Sequence, residues 1–587
     1  MPPGNQRMME KRVRILFVLL SLGAGFAAIG LRLVHLQIIE RGDLSRRAER
    51  QQERLVKLEP KRGTIVDRRG RELAVSLDVE SVYGVPTEVG DPRPVARELA
   101  RILHENPVEL EKRLASDRRF VWLSRKVDPA RADRVRYIDP KSIGLQTESR
   151  RFYPKKSLAG TVLGFTNVDN KGIEGVELWY DTMLRGVDGL VLAEKDARGR
   201  TVFPGGHGFQ FRQPRAGKDI TLTLDEVIQH IAEKELDKGL AESKARGGVC
   251  IVMNPQTGEI LALSVRSTLR GRGAFNPNEP RQYRPEEWRN RAVTDAFEPG
   301  SIFKVITASA ALEEKVVHPQ ERIDCSAGSI QVADRVIKDS HRNGVLTFAD
   351  VIAESSNVGT IKVAQRLGKV RFAKYISAFG FGRKTGVDLP GEIAGLVKDP
   401  RLWSGVSLGS MSIGQEIGVT PIQIAAAFSA IANGGTLMKP YLVSEIRDPK
   451  DNDGKERVTF APVVVGRAVS EETSRTVRQI LQRVVESGTG QKAKPAGYTA
   501  AGKTGTAQKI DQRTGLYSKD DYVSSFVGFA PAGTPKLVIV VMVDSPVGIR
   551  WGGSIAAPIF KAVAEQSLTY LQVRPDDLGG RMLLVSQ

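Results

Sequence analysis

The chain contains little cysteine and little histidine. Of its 587 residues only Cys250 and Cys325 are cysteines, and six are histidines. Cys250 lies in the apolar run from Val249 to Met253, which favours a small buried side chain over a reactive thiol. The pairing of the two cysteines stays open, because a disulfide depends on geometry that the sequence does not contain. The histidines show no metal-ligand spacing, so we predict neither a metal site nor a cofactor.

Sequence features of nucleic-acid-binding proteins are also missing. We find no zinc-finger spacing, no homeodomain-like helix and no aromatic RNA-binding motif. The formal net charge is nevertheless +19 at pH 7, with lysine and arginine scattered along the chain. Together with the membrane span described next, this scatter favours anionic lipid headgroups or an anionic polymer, rather than nucleic acid, as the neighbour of the protein.

The N-terminal segment has the length and composition of a membrane span. Residues 15–31 carry no charge, and apolar residues resume beyond Arg32 as far as Ile39. This is about the length needed to cross a bilayer, and Arg32 can extend toward the headgroups. A cleaved signal peptide is the alternative, but the continued apolar stretch argues against it. Basic residues before the span favour a cytoplasmic N-terminus, which places the chain after about residue 40 outside the cytoplasm.

At 587 residues the chain is too long for one compact domain. Changes in composition predict the following order: a cytoplasmic tail at 1–14, a transmembrane helix at 15–39, a charged stalk of helical character at 40–60, a mostly β domain at 61–218 with an inserted helical subdomain at about 85–140, an α/β domain at 219–572, and a tail at 573–587. In the α/β domain, apolar hairpins at 248–264 and 522–543 enclose mostly helical sequence.

A serine at the start of an apolar helix is the first candidate for chemistry. Pro299 and Gly300 interrupt the chain, so Ser301 would lie near a helix N-terminus with Lys304 over the same face. The helix is apolar nearly all round, which predicts burial, and burial lowers the pKa of a lysine until it can accept a proton. A serine nucleophile needs such a base. The pair is equally compatible with a helix cap and a solvent-reaching lysine, because S-x-x-K occurs by chance.

Two further motifs change this balance. Ser355 and Asn357 form an S-x-N motif after a helix-like segment, and Lys503 begins a K-T-G motif in a β-prone stretch. In this chain order the three motifs are the signature set of penicillin-recognising serine enzymes. A second K-T-G begins at Lys384 but leads into a turn, whereas Lys503 precedes two apolar strands. We therefore predict that Lys503 is the functional lysine.

The chain resembles the class B penicillin-binding proteins, which are the monofunctional D,D-transpeptidases of peptidoglycan synthesis. Beyond the three motifs, the resemblance rests on the segments Arg62–Ala74, Arg151–Asp181, Ser412–Gly435 and Trp551–Phe560. Two positions depart from the family pattern: Ile302, where a threonine is common, and Thr161, where a histidine is common. The resemblance implies a penicillin-binding/β-lactamase-like transpeptidase domain, an antiparallel sheet flanked by helices, on a mostly β pedestal with one transmembrane helix.

The resemblance also implies a role for each motif residue. Ser301 would attack the carbonyl between two terminal D-alanines of a stem peptide while Lys304 takes its proton. Ser355 would bridge Lys304 and Lys503 and return a proton to the departing D-alanine. An amine of a neighbouring strand would then resolve the acyl-enzyme and form the cross-link, whereas β-lactams would stall at that stage.

The remaining implied roles concern substrate binding. The backbone N–H groups of Ser301 and Thr506 would hold the oxyanion, and Asn357 would bind the donor peptide amide. Thr504 and Thr506 fall on one face of a strand and would bind the terminal carboxylate. Gly505 would let the backbone approach the substrate.

Within the family, the short region between Ala74 and Arg150 resembles the division-specific type. An elongation-specific enzyme stays open as the alternative, while the complete motif set argues against a non-catalytic β-lactam sensor or scaffold. Residues 40–220 lack a glycosyltransferase motif, which argues against a bifunctional enzyme. The implied partners are stem peptides, β-lactams, a polytopic SEDS-family glycosyltransferase and division-complex membrane proteins. The implied location is the cytoplasmic (inner) membrane, with a single pass and the catalytic domain outside.

Overall fold

The computed structural model describes residues 4–42, 53–118, 120–195, 201–202, 212–268, 273–449, 456–511 and 513–577. In the N-terminal part the elements are α1 (Gly4–Val34), β1 (Glu53–Leu58), β2 (Ile65–Val66), β3 (Glu72–Gly84), α2 (Pro92–Leu103), α3 (Pro107–Leu114), β4 (Val121–Val127), α4 (Pro129–Val135), β5 (Ile143–Phe152), α5 (Gly160–Leu163), α6 (Gly175–Trp179), α7 (Asp181–Leu184), β6 (Gly189–Lys195) and β7 (Thr201–Val202).

In the C-terminal part they are β8 (Asp219–Leu222), α8 (Glu226–Ser243), β9 (Gly247–Met253), β10 (Ile260–Ser267), α9 (Pro285–Trp288), α10 (Arg291–Thr294), α11 (Lys304–Glu313), β11 (Arg322–Asp324), β12 (Ser329–Val332), β13 (Arg335–Lys338), β14 (Val345–Thr347), α12 (Phe348–Ala353), α13 (Asn357–Leu367), α14 (Lys369–Ala378), α15 (Ser407–Ser412), α16 (Pro421–Ala432), β15 (Thr436–Met438), β16 (Val443–Arg447), β17 (Arg457–Thr459), β18 (Val464–Arg467), α17 (Glu471–Glu486), β19 (Ala501–Ile510), β20 (Tyr517–Ala530), β21 (Leu537–Asp544) and α18 (Gly552–Tyr570).

The predicted membrane span is one continuous helix. Helix α1 runs into a π-helical turn over His35–Ile39, and in the described ranges Lys11–Ile39 is the stretch long and apolar enough to cross a membrane. Its large apolar side chains, such as Phe17 and Phe26, are exposed rather than packed against protein. A helix that crosses a bilayer contacts lipid with apolar side chains along its length, and the exposed side chains of α1 fit this requirement.

The helical character predicted for the stalk is wrong over Glu53–Leu58, although residues 41–42 are helical. Residues 43–52 lie outside the described residues, and Glu53–Leu58 forms β1, which pairs antiparallel with β6. Strand formation depends on the available partner more than on intrinsic propensity. The partner strand lies more than a hundred residues further along the chain, so composition near residue 55 could not reveal it.

The Arg62–Ala74 segment forms a hairpin that belongs to a larger sheet. Strand β3 pairs with β2, β4 and β5, and β2 pairs in parallel with β8. The resulting order is β17-β16-β8-β2-β3-β4, so one sheet crosses the boundary that we predicted between residues 218 and 219. Tyr180 strengthens the same junction by donating to Asp388, which also accepts from the backbone of Leu442 and Val443.

The inserted helices of the pedestal form a small core of their own. Helices α2, α3 and α4 each begin with an Asp or Asn cap followed by proline, at Asp91, Asn106 and Asp128. The cap satisfies a free backbone N–H, and proline is well tolerated at the first helical position. Leu99 and Leu110 pack with other buried residues of these helices against β3 and β4.

The buried carboxylate of Glu177 joins two segments of the pedestal. Arg62 Nε donates to Glu177 Oε2 and Arg151 Nε donates to Glu177 Oε1, each at 2.5 Å, and all three side chains are at most 1% exposed. Arg62 also reaches Asp181 at 2.7 Å. Because desolvating these charges is costly, each depends on its partners. The Arg62–Ala74 and Arg151–Asp181 segments thus meet at one ion-pair cluster.

The C-terminal domain has the predicted antiparallel sheet. Its order is β10-β9-β21-β20-β19, so strands from both ends of the domain lie side by side. Helices α8 and α18 cover one face, and the buried helix α11 packs in the core on the other. Both cysteines are free, which answers the open question about their pairing. Cys250 is buried in β9, and burial raises the pKa of its thiol to about 12.

Candidate active site

The three sequence motifs meet at one cavity. Ser301, Asn357 and Thr506 line a space of about 520 Å³, to which each comes from a different element. Ser301 lies in a 3-10 turn over Gly300–Phe303 that leads into α11, Asn357 begins α13, and Thr506 lies on the edge strand β19. We call this space the serine cavity.

Glycines fix the nucleophile segment against its neighbours. Gly300 has φ +55 and donates from its backbone to Gly414 O at 2.9 Å. A Cβ on Gly414 would lie 2.1 Å from Gly300 O, so only glycine allows this close approach. A Cβ on Gly505 would lie 2.3 Å from Ser525 Oγ and 3.0 Å from Ile302 Cγ2. Packing between β19 and the nucleophile turn therefore already requires glycine at position 505.

Lys304 is completely buried, as predicted from the apolar helix. Its Nζ donates to Ser355 O at 2.5 Å and lies 3.2 Å from Ser355 Oγ. Burial lowers the pKa of Lys304 well below its ordinary value, and the nearby charge of Lys503 lowers it further. A neutral amine in this position can accept a proton. In the described residues no hydrogen bond joins Ser301 Oγ to Lys304 Nζ, a contact that often tightens only with substrate bound.

Lys503 is the second completely buried lysine of the site. Burial lowers its pKa to about 7. Its Nζ lies 3.3 Å from Thr504 O and 3.4 Å from Thr504 Oγ1. The predicted Ser355 bridge between the two lysines is present on one side only, because Ser355 Oγ contacts Lys304 and none of the described contacts joins it to Lys503.

The predicted substrate-binding side chains already have protein partners. Asn357 Nδ2 donates to Lys338 O at 2.7 Å. Thr506 Oγ1 accepts from Gly552 N at 3.1 Å and lines the serine cavity. Thr504 is only 8% exposed, and its hydroxyl lies 2.9 Å from Thr489 Oγ1. Of the two threonines, Thr506 is thus the one that faces the cavity of Ser301.

The second K-T-G motif closes a loop. The carboxylate of Glu392 accepts from Thr385 N at 2.6 Å, from Thr385 Oγ1 at 2.5 Å and from Gly386 N at 3.0 Å. Lys384 is exposed and lines a small cavity that shares no residue with the serine cavity. This arrangement supports the choice of Lys503 over Lys384.

The two lysines should therefore differ sharply in a labelling experiment. We expect Lys503→Ala to slow covalent labelling by a fluorescent penicillin by at least about a hundredfold, because a buried positioning cation of the site is lost. Lys384→Ala should change the rate by less than about twofold, since an exposed lysine away from the site is removed. The rates are read from gel fluorescence of the full-length protein in detergent. Labelling that is lost with Lys384 and kept without Lys503 would reverse the assignment.

Several residues of the serine cavity were not found from the sequence. Glu298, Gln508 and Trp551 line it, and Asp339 accepts from the backbone of Asn357 and Val358. Glu298 precedes Ser301 by three residues, but a carboxylate at that spacing has no general meaning. Gln508 lies close to the K-T-G motif and Trp551 begins the Trp551–Phe560 segment, but neither position by itself indicates a chemical role. Asp339 belongs to no motif, so only the fold reveals its contacts at the site.

Comparison with known proteins finds relatives over most of the chain. The penicillin binding protein transpeptidase domain matches residues 248–565, and the penicillin-binding protein dimerisation domain matches residues 57–222. Stage V sporulation protein D of Bacillus subtilis is 37% identical over 571 residues, which cover 96% of this chain and 86% of that protein. Peptidoglycan D,D-transpeptidase FtsI of Escherichia coli is 32% identical over 556 residues, covering 93% and 90%.

Solved structures show the same fold. Penicillin binding protein 3 from Mycobacterium tuberculosis, complexed with aztreonam, superposes with a TM-score of 0.68 at 29% identity and covers 89% of this chain and 98% of its own. Fold and site together define a penicillin-binding transpeptidase, a serine acyltransferase that takes stem peptides and β-lactams. The chain belongs to the class B penicillin-binding proteins, the peptidoglycan D,D-transpeptidases that carry a dimerisation domain before the transpeptidase domain.

Proposed function

We propose that this protein cross-links stem peptides during septal peptidoglycan synthesis, with Ser301 as its nucleophile. One observation carries the assignment of the nucleophile: Ser301 opens onto a cavity shared with Asn357 and Thr506, and the buried Lys304 lies one helical turn behind it against Ser355. A buried amine of lowered pKa beside a serine at a cavity is the arrangement that acyl transfer needs.

The proposed acylation uses these groups in sequence. Neutral Lys304 takes the proton of Ser301 as its oxygen attacks the carbonyl carbon between the two terminal D-alanines. The C–N bond breaks, D-alanine leaves with a proton delivered through Ser355, and an ester joins the remaining peptide to Ser301. The backbone N–H groups of Ser301 and Thr506 hold the oxyanion, where preorganised donors act strongly.

Substrate binding in this proposal uses the remaining motif residues. Asn357 binds the donor amide, while Thr506 on β19 binds the terminal carboxylate, with Lys503 and Thr504 buried behind it on the same strand. Gly505 keeps the strand close to the nucleophile turn. An amine of a neighbouring strand then attacks the ester, forms the new amide and frees Ser301.

The proposed location is the cytoplasmic (inner) membrane, crossed once by α1, with the N-terminus in the cytoplasm and the catalytic domain outside. The basic residues before the span support this orientation. The proposed partners are a polytopic SEDS-family glycosyltransferase and division-complex membrane proteins. Exposed apolar side chains on α6 and α7 of the pedestal, including Leu178, Trp179 and Met183, support such a contact.

Depletion of the protein in its own cells tests the septal role. We expect filamentous cells that elongate without dividing, and rescue by the wild-type chain but not by Ser301→Ala. Cell shape is followed by microscopy with a label for new peptidoglycan. Rounded cells with septa still forming would instead assign the protein to elongation. Rescue by Ser301→Ala would contradict the catalytic role.

A further inference from the structure

A larger cleft adjoins the serine cavity. It has a volume of about 1290 Å³ and lies between the β19–β20 hairpin and the segment around residues 395–421. Glu298, Ala507 and Gln508 line both spaces, so the two adjoin at these residues. The proposed reaction requires a second peptide to reach the acyl carbon held at Ser301, and the larger cleft adjoins that position.

Glu298 stands at the junction and is held firmly there. Its Oε1 accepts from Glu416 N at 2.9 Å, and Tyr517 Oη donates to its Oε2 at 3.0 Å. Among the described residues that line the serine cavity, Glu298 is the one with an acidic side chain. Burial raises the pKa of Glu298 from its ordinary value. A carboxyl group of this kind binds a cation and can also take a proton from it.

The larger cleft carries further charge near this junction. Glu416 lines it beside Glu298, and Arg335 and Lys398 line it as cations. The other two basic residues of the cleft, Arg291 and Lys509, are both paired with Asp544. Lys398 lies 4.0 Å from Glu416, and Asp295 also lines the cleft, so charges of both signs are present along it. Such a lining fits a peptide with an ammonium group and carboxylates of its own.

We propose that the larger cleft binds the acceptor strand and that Glu298 receives its amine. This inference rests on the proposed function, because the amine attacks the ester formed at Ser301. The acceptor is a stem peptide with a free primary amine. Glu298 binds the ammonium group at the point where the cleft meets the serine cavity.

The chemical step balances with the groups in place. The ammonium group transfers one proton to the Glu298 carboxylate and becomes a neutral amine. The amine nitrogen attacks the acyl carbon, the new C–N bond forms, and the C–O bond to Ser301 breaks. The second proton of the amine passes through Lys304 to Ser301 Oγ, and Glu298 releases its proton to water. The products are the cross-linked amide and the free enzyme.

Glu298→Gln tests this role while keeping a hydrogen-bond acceptor for Glu416 N. The full-length protein in detergent is given a soluble thioester analogue of the donor and a tripeptide carrying the free side-chain amine. Aminolysis and hydrolysis of the acyl-enzyme are measured together. We expect the ratio of aminolysis to hydrolysis to fall at least about tenfold, because a charge-assisted contact to the acceptor is lost. Labelling by fluorescent penicillin is measured in the same preparations as a separate readout of acylation.

The matched control is Glu286→Gln, which removes the same charge from an exposed position on α9 that lines neither space. It should leave the ratio unchanged. A second variant, Leu396→Trp, narrows the larger cleft from an exposed position outside the serine cavity and should also lower the ratio.

Two results would overturn the inference. One is an unchanged ratio in both Glu298→Gln and Leu396→Trp. The other is an equal loss of penicillin labelling and aminolysis in Glu298→Gln with a normal ratio in Leu396→Trp, since Glu298 would then only position Ser301. Failure of the proposed function looks different, because wild-type protein would then form no acyl-enzyme at all.

Discussion

Ser301→Ala is expected to abolish covalent labelling by fluorescent penicillin and to lower peptide cross-linking by at least about a thousandfold, because no other group forms the acyl-enzyme. The serine lies in a tight turn where glycines fix its backbone, so alanine at this position should fold normally. Mass spectrometry of the intact protein after incubation with a β-lactam gives the measurement. The wild type should gain one adduct and the variant none.

Ser309 provides the matched control for this prediction. It lies in α11, the helix that follows the turn of Ser301, is completely buried, and its hydroxyl donates to Val305 O at 2.7 Å. Ser309→Ala removes the same atom two turns further along the chain and should keep the adduct. An adduct that persists in Ser301→Ala, or maps to a different serine by peptide analysis, would refute Ser301 as the nucleophile.

Glu177→Gln should have the largest effect on stability. The change leaves Arg62 and Arg151 buried without their shared carboxylate, and breaking a buried pair in this way costs about 3–5 kcal/mol. We expect a marked fall in the unfolding temperature of the full-length protein in detergent, followed by thermal unfolding with intrinsic fluorescence. The serine cavity lies in the other domain, so the folded fraction should still react with penicillin.

The control for Glu177 is an exposed ion pair of the same domain. Glu80 contacts Arg136 at 3.0 Å with both side chains partly open to solvent. Glu80→Gln should therefore cost less than about 1 kcal/mol. If the two changes lowered the free energy of unfolding equally, burial of the Glu177 cluster would not be the reason for its contribution to stability.

Local patterns predicted most of the elements that carry the site. The hairpins around residues 255 and 533 and the buried helix after Ser301 follow from apolar periodicity and turn residues, which act within a few positions of the chain. The prediction of a helical stalk was wrong because strand formation by Glu53–Leu58 depends on a partner strand at 189–195. The sequence also did not predict the long strand β3 or the sheet that joins the two domains through β8, because these too depend on partner strands from distant parts of the chain.

By itself, the sequence determined the chemical groups of the site and their order along the chain: a serine and a lysine one helical turn apart, an S-x-N motif, and a K-T-G motif on a strand. Only the tertiary structure decided which groups meet. Burial against the β19 sheet lowers the pKa of Lys304, and contact with Ser355 places its amine. Glu298 lies at the junction of two cavities through bonds to Glu416 and Tyr517. Desolvation and convergence depend on residues from distant parts of the chain, and no local spacing encodes them.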